Sequence, residues 1–498
     1  MAAPPLPTPG HPLAGPEFAG GRTIAWNTLL LSATEFSTRL VSLALIILVA
    51  RRLGPALLGI YAFALGLIRL AELVLNFGLD RYLQREVGRR PEAAAPLCRR
   101  VLALKSLLYL GCLGVLLPVL YFIAEPLKRQ VVALLLAALF FRSHTASLTA
   151  LFRGRQLAGV EARVVITMRL LYGGGGVAAV LAGYGLVALA LLEVGAQAAA
   201  LGVALWLFSR RLGSPWGKVT WTTVRELAAA GKQFFLIRLV LTLSGSLHVL
   251  LLSLMAGDLA TGFFAAALRL TSAFDFLPEA FTGAFLPVLS REERFRDSGF
   301  PAVFRQYLKY LVIVGLGLAA TLAGTAPVLV PAVFGPAFGP AVPVLSVLSL
   351  VLALEFLNLA LSNSLIALNA EARVLRIFGL VLLVSVTANL GLVPLLREMG
   401  AAWAAVAAEG AALALQLRAL TREALHPGRE VARLWRPLLA GLAALGGGRL
   451  LLLTPVPWPL ALAAPPLIFL LGLFITGTLG LAEFHTLRAW AGEGRHVP

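Results

Sequence analysis

The sequence predicts an all-α polytopic membrane protein of about fourteen transmembrane helices. They are expected as two homologous six-helix bundles in parallel repeat around a central cleft, followed by two C-terminal helices. Three observations predict this. Apolar residues occupy 59% of 498 positions and charged residues 13%, with a mean hydropathy of +0.87, against roughly 45–50% and about 25% in soluble globular chains. No soluble core hides that much apolar surface. The apolar residues gather into runs of the roughly 20 needed to cross a bilayer. Finally, LGPALLGIYAFAL at Leu53–Leu65 has an ungapped echo in AGDLATGFFAAAL at Ala256–Leu268.

The opening MAAPPLPTPGHPLAGPEFAGGR is rich in Pro and Gly and almost uncharged. It lacks the basic start and apolar run of a signal peptide, so residues 1–22 read as a disordered cytoplasmic tail and the first helix as an uncleaved signal-anchor. Spans are expected at 23–50, 55–78, 101–123, 131–151, 163–182 and 185–208, forming a first bundle over 23–208. A basic cytoplasmic linker over 209–232 leads into the amphipathic TWTTVRELAAAGKQFF, read as a surface helix joining the bundles. The second bundle, 233–420, holds spans at 233–256, 260–288, 308–333, 339–366, 373–396 and 401–417. Two extra spans at 432–453 and 460–482 fall within 421–486, and 487–498 is a second cytoplasmic tail.

Connectors alternate in charge. DRYLQREVGRR, RGRQLAGVEAR, SRRLGSPWGK, SREERFRDSG, AEARVLR and REALHPGREVARLWR are arginine-rich, whereas AGYG, AGDLATG and TPVPWP carry almost no basic residues. The positive-inside rule places the first set and both termini in the cytoplasm. Most of the +18 net charge is therefore topological and points to no nucleic acid. The opposite connectors are too short for the external loop on which membrane glycan polymerases carry their chemistry. The four aspartates are Asp80, Asp258, Asp275 and Asp297. Two cysteines, Cys98 and Cys112, are too few for a disulfide framework or metal site. No HExxH, GxSxG, Walker A or CxxC spacing occurs, so no enzyme activity, cofactor or metal is expected.

In the echo Gly54 meets Gly257 (257 − 54 = 203) and Gly59 meets Gly262; Glu72 meets Asp275 at the same offset (275 − 72 = 203). GVEARVV at Gly159–Val165 is similar to NAEARVL at Asn369–Leu375, placing Glu161 on Glu371 (371 − 161 = 210), and Glu193 and Glu409 occupy comparable small-residue helices. The repeats start on the same side, so they are parallel and enclose a cleft that rocking opens to either face. Small residues at helical spacing suit close helix contact or a hinge.

Ionisable residues within spans face a cavity or a partner. Glu35 and Arg39 are one turn apart in span one, as are Arg69 and Glu72 in span two. Span four holds Arg142 and His144, span five Arg169, span seven Arg238 and His248, span eight Arg269, Asp275 and Glu279, and Glu355 and Glu409 lie further on. A planar guanidinium stays charged in apolar surroundings and bonds two phosphate oxygens at once. Arg39, Arg69, Arg142, Arg238 and Arg269 are therefore the candidate substrate contacts, their alternative being mutual neutralisation with helix-mate acids or snorkelling. Glu72, Asp275 and Glu279 are candidates for H+ or Na+ coupling, with Asp275 and Glu279 expected on one helix face. Glu35 falls opposite Arg238 (238 − 35 = 203) and suggests a gating pair across the pseudo-twofold axis. The histidines read as packed residues.

LVARRLGPALLGIYAFALGLIRLAELVLNFGLDRYLQREV resembles the opening helices of the Wzx-type polysaccharide flippases of the MOP superfamily. GFFAAALRL, LPVLSREERF and VFGPAFGPAVPVLSVL, with its Phe–Gly pair before a short apolar turn and a long helix, extend the likeness over residues 23–420. The resemblance implies a carrier of undecaprenyl-pyrophosphate-linked oligosaccharide, moving it from the cytoplasmic to the periplasmic leaflet of a bacterial inner membrane. It further implies a cationic central cavity and a place beside polysaccharide polymerase or ligase machinery. Alternatives are a MATE-like H+- or Na+-coupled drug or cation antiporter, a lipid II flippase, a membrane glycan polymerase and a lipid scramblase.

Overall fold

The computed structural model describes residues 21–214, 227, 235, 239, 242, 243, 245–292, 299–422, 434–451 and 457–478, with side chains in the first helix from Ser42 onward. Residues 1–20, most of the 209–232 linker, the start of span seven with Arg238, and the final tail lie outside these. So do the side chains of Glu35 and Arg39, and with them the Glu35–Arg238 pair.

Described residues are helical, without a strand. In chain order the helices are α1 (Gly21–Asn76), α2 (Leu79–Arg89), α3 (Ala94–Phe122), α4 (Pro126–Gly154), α5 (Ala158–Arg169), α6 (Gly175–Leu181) and α7 (Leu186–Leu212). Next come α8 (Gly245–Ala256), α9 (Asp258–Ser272), α10 (Phe276–Glu292), α11 (Gly299–Phe334), α12 (Ala341–Ala367), α13 (Glu371–Thr421), α14 (Trp435–Leu451) and α15 (Trp458–Ile475). A π-helical turn, Leu170–Gly174, joins α5 to α6.

Helix α13 runs 51 residues. At about 1.5 Å per residue it exceeds twice a bilayer core of roughly 30 Å, so it holds two membrane-length pieces. The backbone breaks between them at Arg397 (φ 51°, ψ −124°), three residues after Pro394, which removes a ladder donor. Helix α1 breaks likewise at Gly54, just before Pro55. Both joints fall between spans the sequence separated.

Span eight departs from expectation. Its two parts, α9 and α10, are divided by a turn at Ala273–Asp275. Pro278 stands in the first turn of α10, where its missing N–H costs nothing, but its ring disfavours helix upstream. Asp275 therefore sits in the break while Glu279 lies on α10, and the two do not share a helix face. The expected Phe–Gly turn is present: Phe334 ends α11, Gly335 takes φ +99°, Pro336–Phe338 makes a 3₁₀ turn and α12 follows.

Side-chain packing shows how the helices are gathered. One core holds α1, the start of α4, α8, α9, the end of α11, the start of α12 and the middle of α13, from Leu45 through Phe264 to Ala405. Away from it lie two separate cores. One draws on α2–α5 and α7, around Leu83, Phe152 and Phe208; the other on α10–α13, around Phe304, Phe356 and Leu420. Early and late helices are thus welded at the end that carries Gly54 and Gly257 and buried apart at the other. A further small core seats α14 and α15 on α11 through Ile313, Ala320, Ala444 and Phe469.

Candidate functional site: the cleft and its closed end

The echo finds its reason at the welded end. Gly54 (φ 82°, ψ 178°) and Gly257 (φ 85°, ψ 174°) adopt nearly the same backbone conformation, one open essentially to glycine alone. Each turns the chain into a helix, and one turn later the helices cross. A Cβ on Gly59 would lie 1.8 Å from the Asp258 carbonyl oxygen, and one on Gly262 would lie 1.8 Å from that of Pro55. Pro55 and Asp258 are themselves equivalent (258 − 55 = 203), so the contact is two-fold symmetric. Matching glycines recur because each repeat must admit the other's backbone.

Polar contacts flank this crossing. Lys128, at the start of α4, donates to Asp258 Oδ1 at 2.7 Å and to Ser253 Oγ at 2.6 Å, with its ammonium 4.1 Å from the Phe63 ring centroid. Glu125 hydrogen-bonds Asp258, and partial burial beside that carboxylate pushes its own carboxyl above the ordinary range. On the other flank Arg51 Nε donates to the Val333 carbonyl at 2.7 Å, and its Nη2 bonds that of Ala332.

Within the cleft Arg269 on α9 reaches across to α1, its Nη2 donating to Ser42 Oγ at 2.7 Å. Arg69, exposed on α1, lies within electrostatic reach of Arg269, as do Tyr61 and Asp275. The first repeat thus faces a guanidinium of the second with one of its own. Among the described residues Arg69 makes no ion pair, and Arg69 and Glu72 do not neutralise each other. Glu72 instead takes Arg142 at 3.5 Å, and Glu193 lies 3.9 Å from the same guanidinium. Gln197 donates to Glu193 at 2.9 Å, and the Tyr61 and Tyr172 hydroxyls meet at 2.6 Å. Tyr172 belongs to the π-helical turn, a deviation frequent at functional positions. Arg142 is therefore held between two acids.

In the second repeat Glu355 lies within electrostatic range of both Glu409 and Asp275, and Asn358 donates to Glu409 Oε2 at 2.6 Å. The repeat partners of Glu72 and Glu193 thus recur there, with an amide at Asn358 on the helix corresponding to that of Arg142. Both histidines are packed: His144 Nε2 meets Ser106 Oγ at 3.0 Å, and Asn389 Nδ2 donates to His248 Nδ1 at 3.0 Å.

Sequence reasoning passed over Lys105, Lys128 and Arg51. The signal was available for Lys105, a lysine inside the apolar α3. It is fully buried, donating to Asn76 Oδ1 (2.9 Å), Asp80 Oδ1 (2.7 Å) and the Ser143 carbonyl (2.9 Å).

Comparison with known proteins agrees with this architecture. The polysaccharide biosynthesis protein family matches residues 24–292, more than half of the chain, and the chain belongs to that family. Among solved structures, a multidrug resistance MATE-family transporter of the MOP superfamily, in its inward-facing conformation, superposes with a TM-score of 0.64 at 19% identity, over 77% of this chain and 94% of that one. The lipid II flippase MurJ, inward closed, gives 0.67 at 13% identity over 90% and 98%. A MATE in complex with MaL6 gives 0.52 at 18% over 80% and 96%. At these identities the likeness is one of fold alone, a multi-pass helical fold shared with these membrane transporters. No curated protein sequence matches the chain.

Proposed function

We propose that the protein is a flippase for undecaprenyl-pyrophosphate-linked oligosaccharide, moving it from the cytoplasmic to the periplasmic leaflet of the inner membrane by alternating access. The bundles 23–208 and 233–420 act as the rocking units, with both termini cytoplasmic. The carrying observation is the Arg69–Arg269 pair, two guanidiniums contributed by opposite repeats. Like charges repel, and two guanidiniums from opposite repeats within electrostatic reach of one another favour an anion that serves both. A pyrophosphate offers oxygens to both planar forks. Arg39 and Arg238 extend the same cationic lining in this reading. Arg142 serves it by holding Glu72 and Glu193, and Glu72, Asp275 and Glu279 carry coupling to H+ or Na+.

The test is transport in proteoliposomes loaded with undecaprenyl-pyrophosphate oligosaccharide, read by an impermeant probe of leaflet exposure. Arg69→Ala with Arg269→Ala is expected to lower the flipping rate at least about a hundredfold, since each charge-assisted bond is worth roughly 1.5–3 kcal/mol. Lysine at both positions is expected to restore it in part, keeping charge without the fork. Wild-type flipping by the double alanine variant would overturn the reading. A MATE-like antiporter is the second reading, favoured by the Asp275–Glu355–Glu409 group. It predicts exchange of cationic dyes for H+ or Na+ and no movement of the lipid.

A further inference from the structure

We propose that the welded end is a releasable gate held by two cationic clasps, Lys128 on Asp258 and Ser253, and Arg51 on the carbonyl end of α11, which open together when the repeats rock about the Gly59–Gly262 crossing. The inference rests on the alternating-access reading, but its residues are not those of the cleft.

Both clasps cross between repeats, and in both the first repeat supplies the cation and the second the acceptor. Lys128 on α4 meets the α8–α9 junction, where Ser253 also donates to Asp258 Oδ1 at 2.5 Å. Arg51 on α1 meets Ala332 and Val333 in the last turn of α11, where the unpaired carbonyls and the negative end of the helix dipole attract a cation. Both are tied to the glycine crossing along α1: Phe63, under the Lys128 ammonium, lies one turn after Gly59, and Arg51 lies three residues before Gly54.

Comparison with Lys105 shows why these contacts release. Lys105 and Asp80 form the same kind of pair, but within one repeat and with three acceptors on a side chain of 0% exposure. Nothing in a rocking motion separates them. The two clasps differ in their access to solvent: Arg51 is exposed, whereas Lys128 and Asp258 keep side-chain exposures of 9% and 15%, with the exposed Glu125 beside them. The exposed contacts of Arg51 exchange partner for solvent readily, and the Lys128–Asp258 pair releases only where the motion hydrates both partners together. Opened, the gate leaves Arg51, Lys128 and Glu125 on one repeat and Asp258 on the other, each free to hydrate. Arg397, which pairs with Glu398 and donates to the Ala256 carbonyl, braces the acceptor side from α13.

The test uses the full chain in nanodiscs with Cys98 and Cys112 replaced by alanine and spin labels at Tyr121 and Leu395, exposed positions near the gate on opposite repeats. Wild type is expected to show one dominant short distance. Lys128→Asp and Asp258→Lys are each expected to raise the longer-distance population at least about threefold, and the two together to restore the wild-type distribution. Raising salt from 0.1 to 1 M, which shortens the screening length from about 10 to 3 Å, is expected to raise the longer-distance population of wild type through the exposed Arg51 clasp, to do so less in Arg51→Gln, where only the largely buried Lys128 pair remains, and to leave Arg51→Gln with Lys128→Gln unchanged. That salt series needs no charge reversal to fold. Distributions that ignore both the reversals and salt would overturn the gate. The readout requires no lipid substrate, so the gate and the flippase reading fail separately.

Discussion

Replacing Gly59 by alanine is expected to abolish the closed arrangement of the two repeats and to reduce transport at least about tenfold. The added Cβ would stand 1.8 Å from the Asp258 carbonyl oxygen, 2.7 Å from its carbon and 2.9 Å from the Gly262 nitrogen. All three are backbone atoms of a helix start, so no side-chain rotation relieves the clash and α1 and α9 must separate. Overpacking costs typically 1–3 kcal/mol, and rigid backbone puts this site at the upper end. Each roughly 1.4 kcal/mol moves an equilibrium tenfold. Because the penalty falls only on the closed state, the fold survives while the population shifts. The paired labels at Tyr121 and Leu395 should report the open distance as the major one. Gly262→Ala should do the same through Pro55, whereas Gly202→Ala, with open space around its Cβ position, should leave both distance and transport as in wild type. A closed distance distribution in Gly59→Ala would show that the crossing yields more easily than its geometry indicates.

Lys105→Met is expected to be the most destabilising single substitution in the first bundle, by about 3–5 kcal/mol. The lysine itself contributes no special strength. Its removal leaves Asp80, Asn76 and the Ser143 carbonyl without their common donor, with Asp80 itself only 23% exposed. Asp80 keeps Ser147, whose hydroxyl donates at 2.7 Å, which is too little for a full carboxylate charge. A thermal midpoint in detergent well below wild type should result. Lys105→Met combined with Asp80→Asn should recover most of the loss, because a buried pair removed as a unit costs far less than one partner removed alone. If the single and double variants unfold alike, the partial exposure of Asp80 is enough to hydrate its charge and the pair contributes little to the stability of the first bundle.

The repeat was legible because it is a property of spacing. Gly54, Gly59, Gly257 and Gly262 keep their 203-residue offset whatever the packing, and so do Glu72 and Asp275. The site was legible only as a set of residues. For Arg69 and Glu72, one turn apart, the sequence left mutual neutralisation open as the alternative to roles in substrate contact and coupling, and Glu72 turns instead to Arg142 on α4. Asp275 and Glu279 read as neighbours on one face, and the break ahead of Pro278 divides them. Lys128 sat in a connector counted for its charge alone, and it proves to bridge the repeats.

Chemistry and periodicity along the chain by themselves determined that this protein lives in lipid, that its backbone is helical, that it is built from a duplicated unit, and where the joints at Gly54 and Arg397 lie, though not the break inside span eight. Each of those follows from the composition, run length and local backbone preference of neighbouring residues. Only the tertiary structure decided which end is welded, why the glycines are matched, and that Arg269 lies within electrostatic reach of Arg69 while Arg142 is held by acids. The physical reason is directional. A helix apolar on every side carries almost no signal of which face meets a neighbour, so the partner of a buried charge is chosen by packing between helices far apart in sequence.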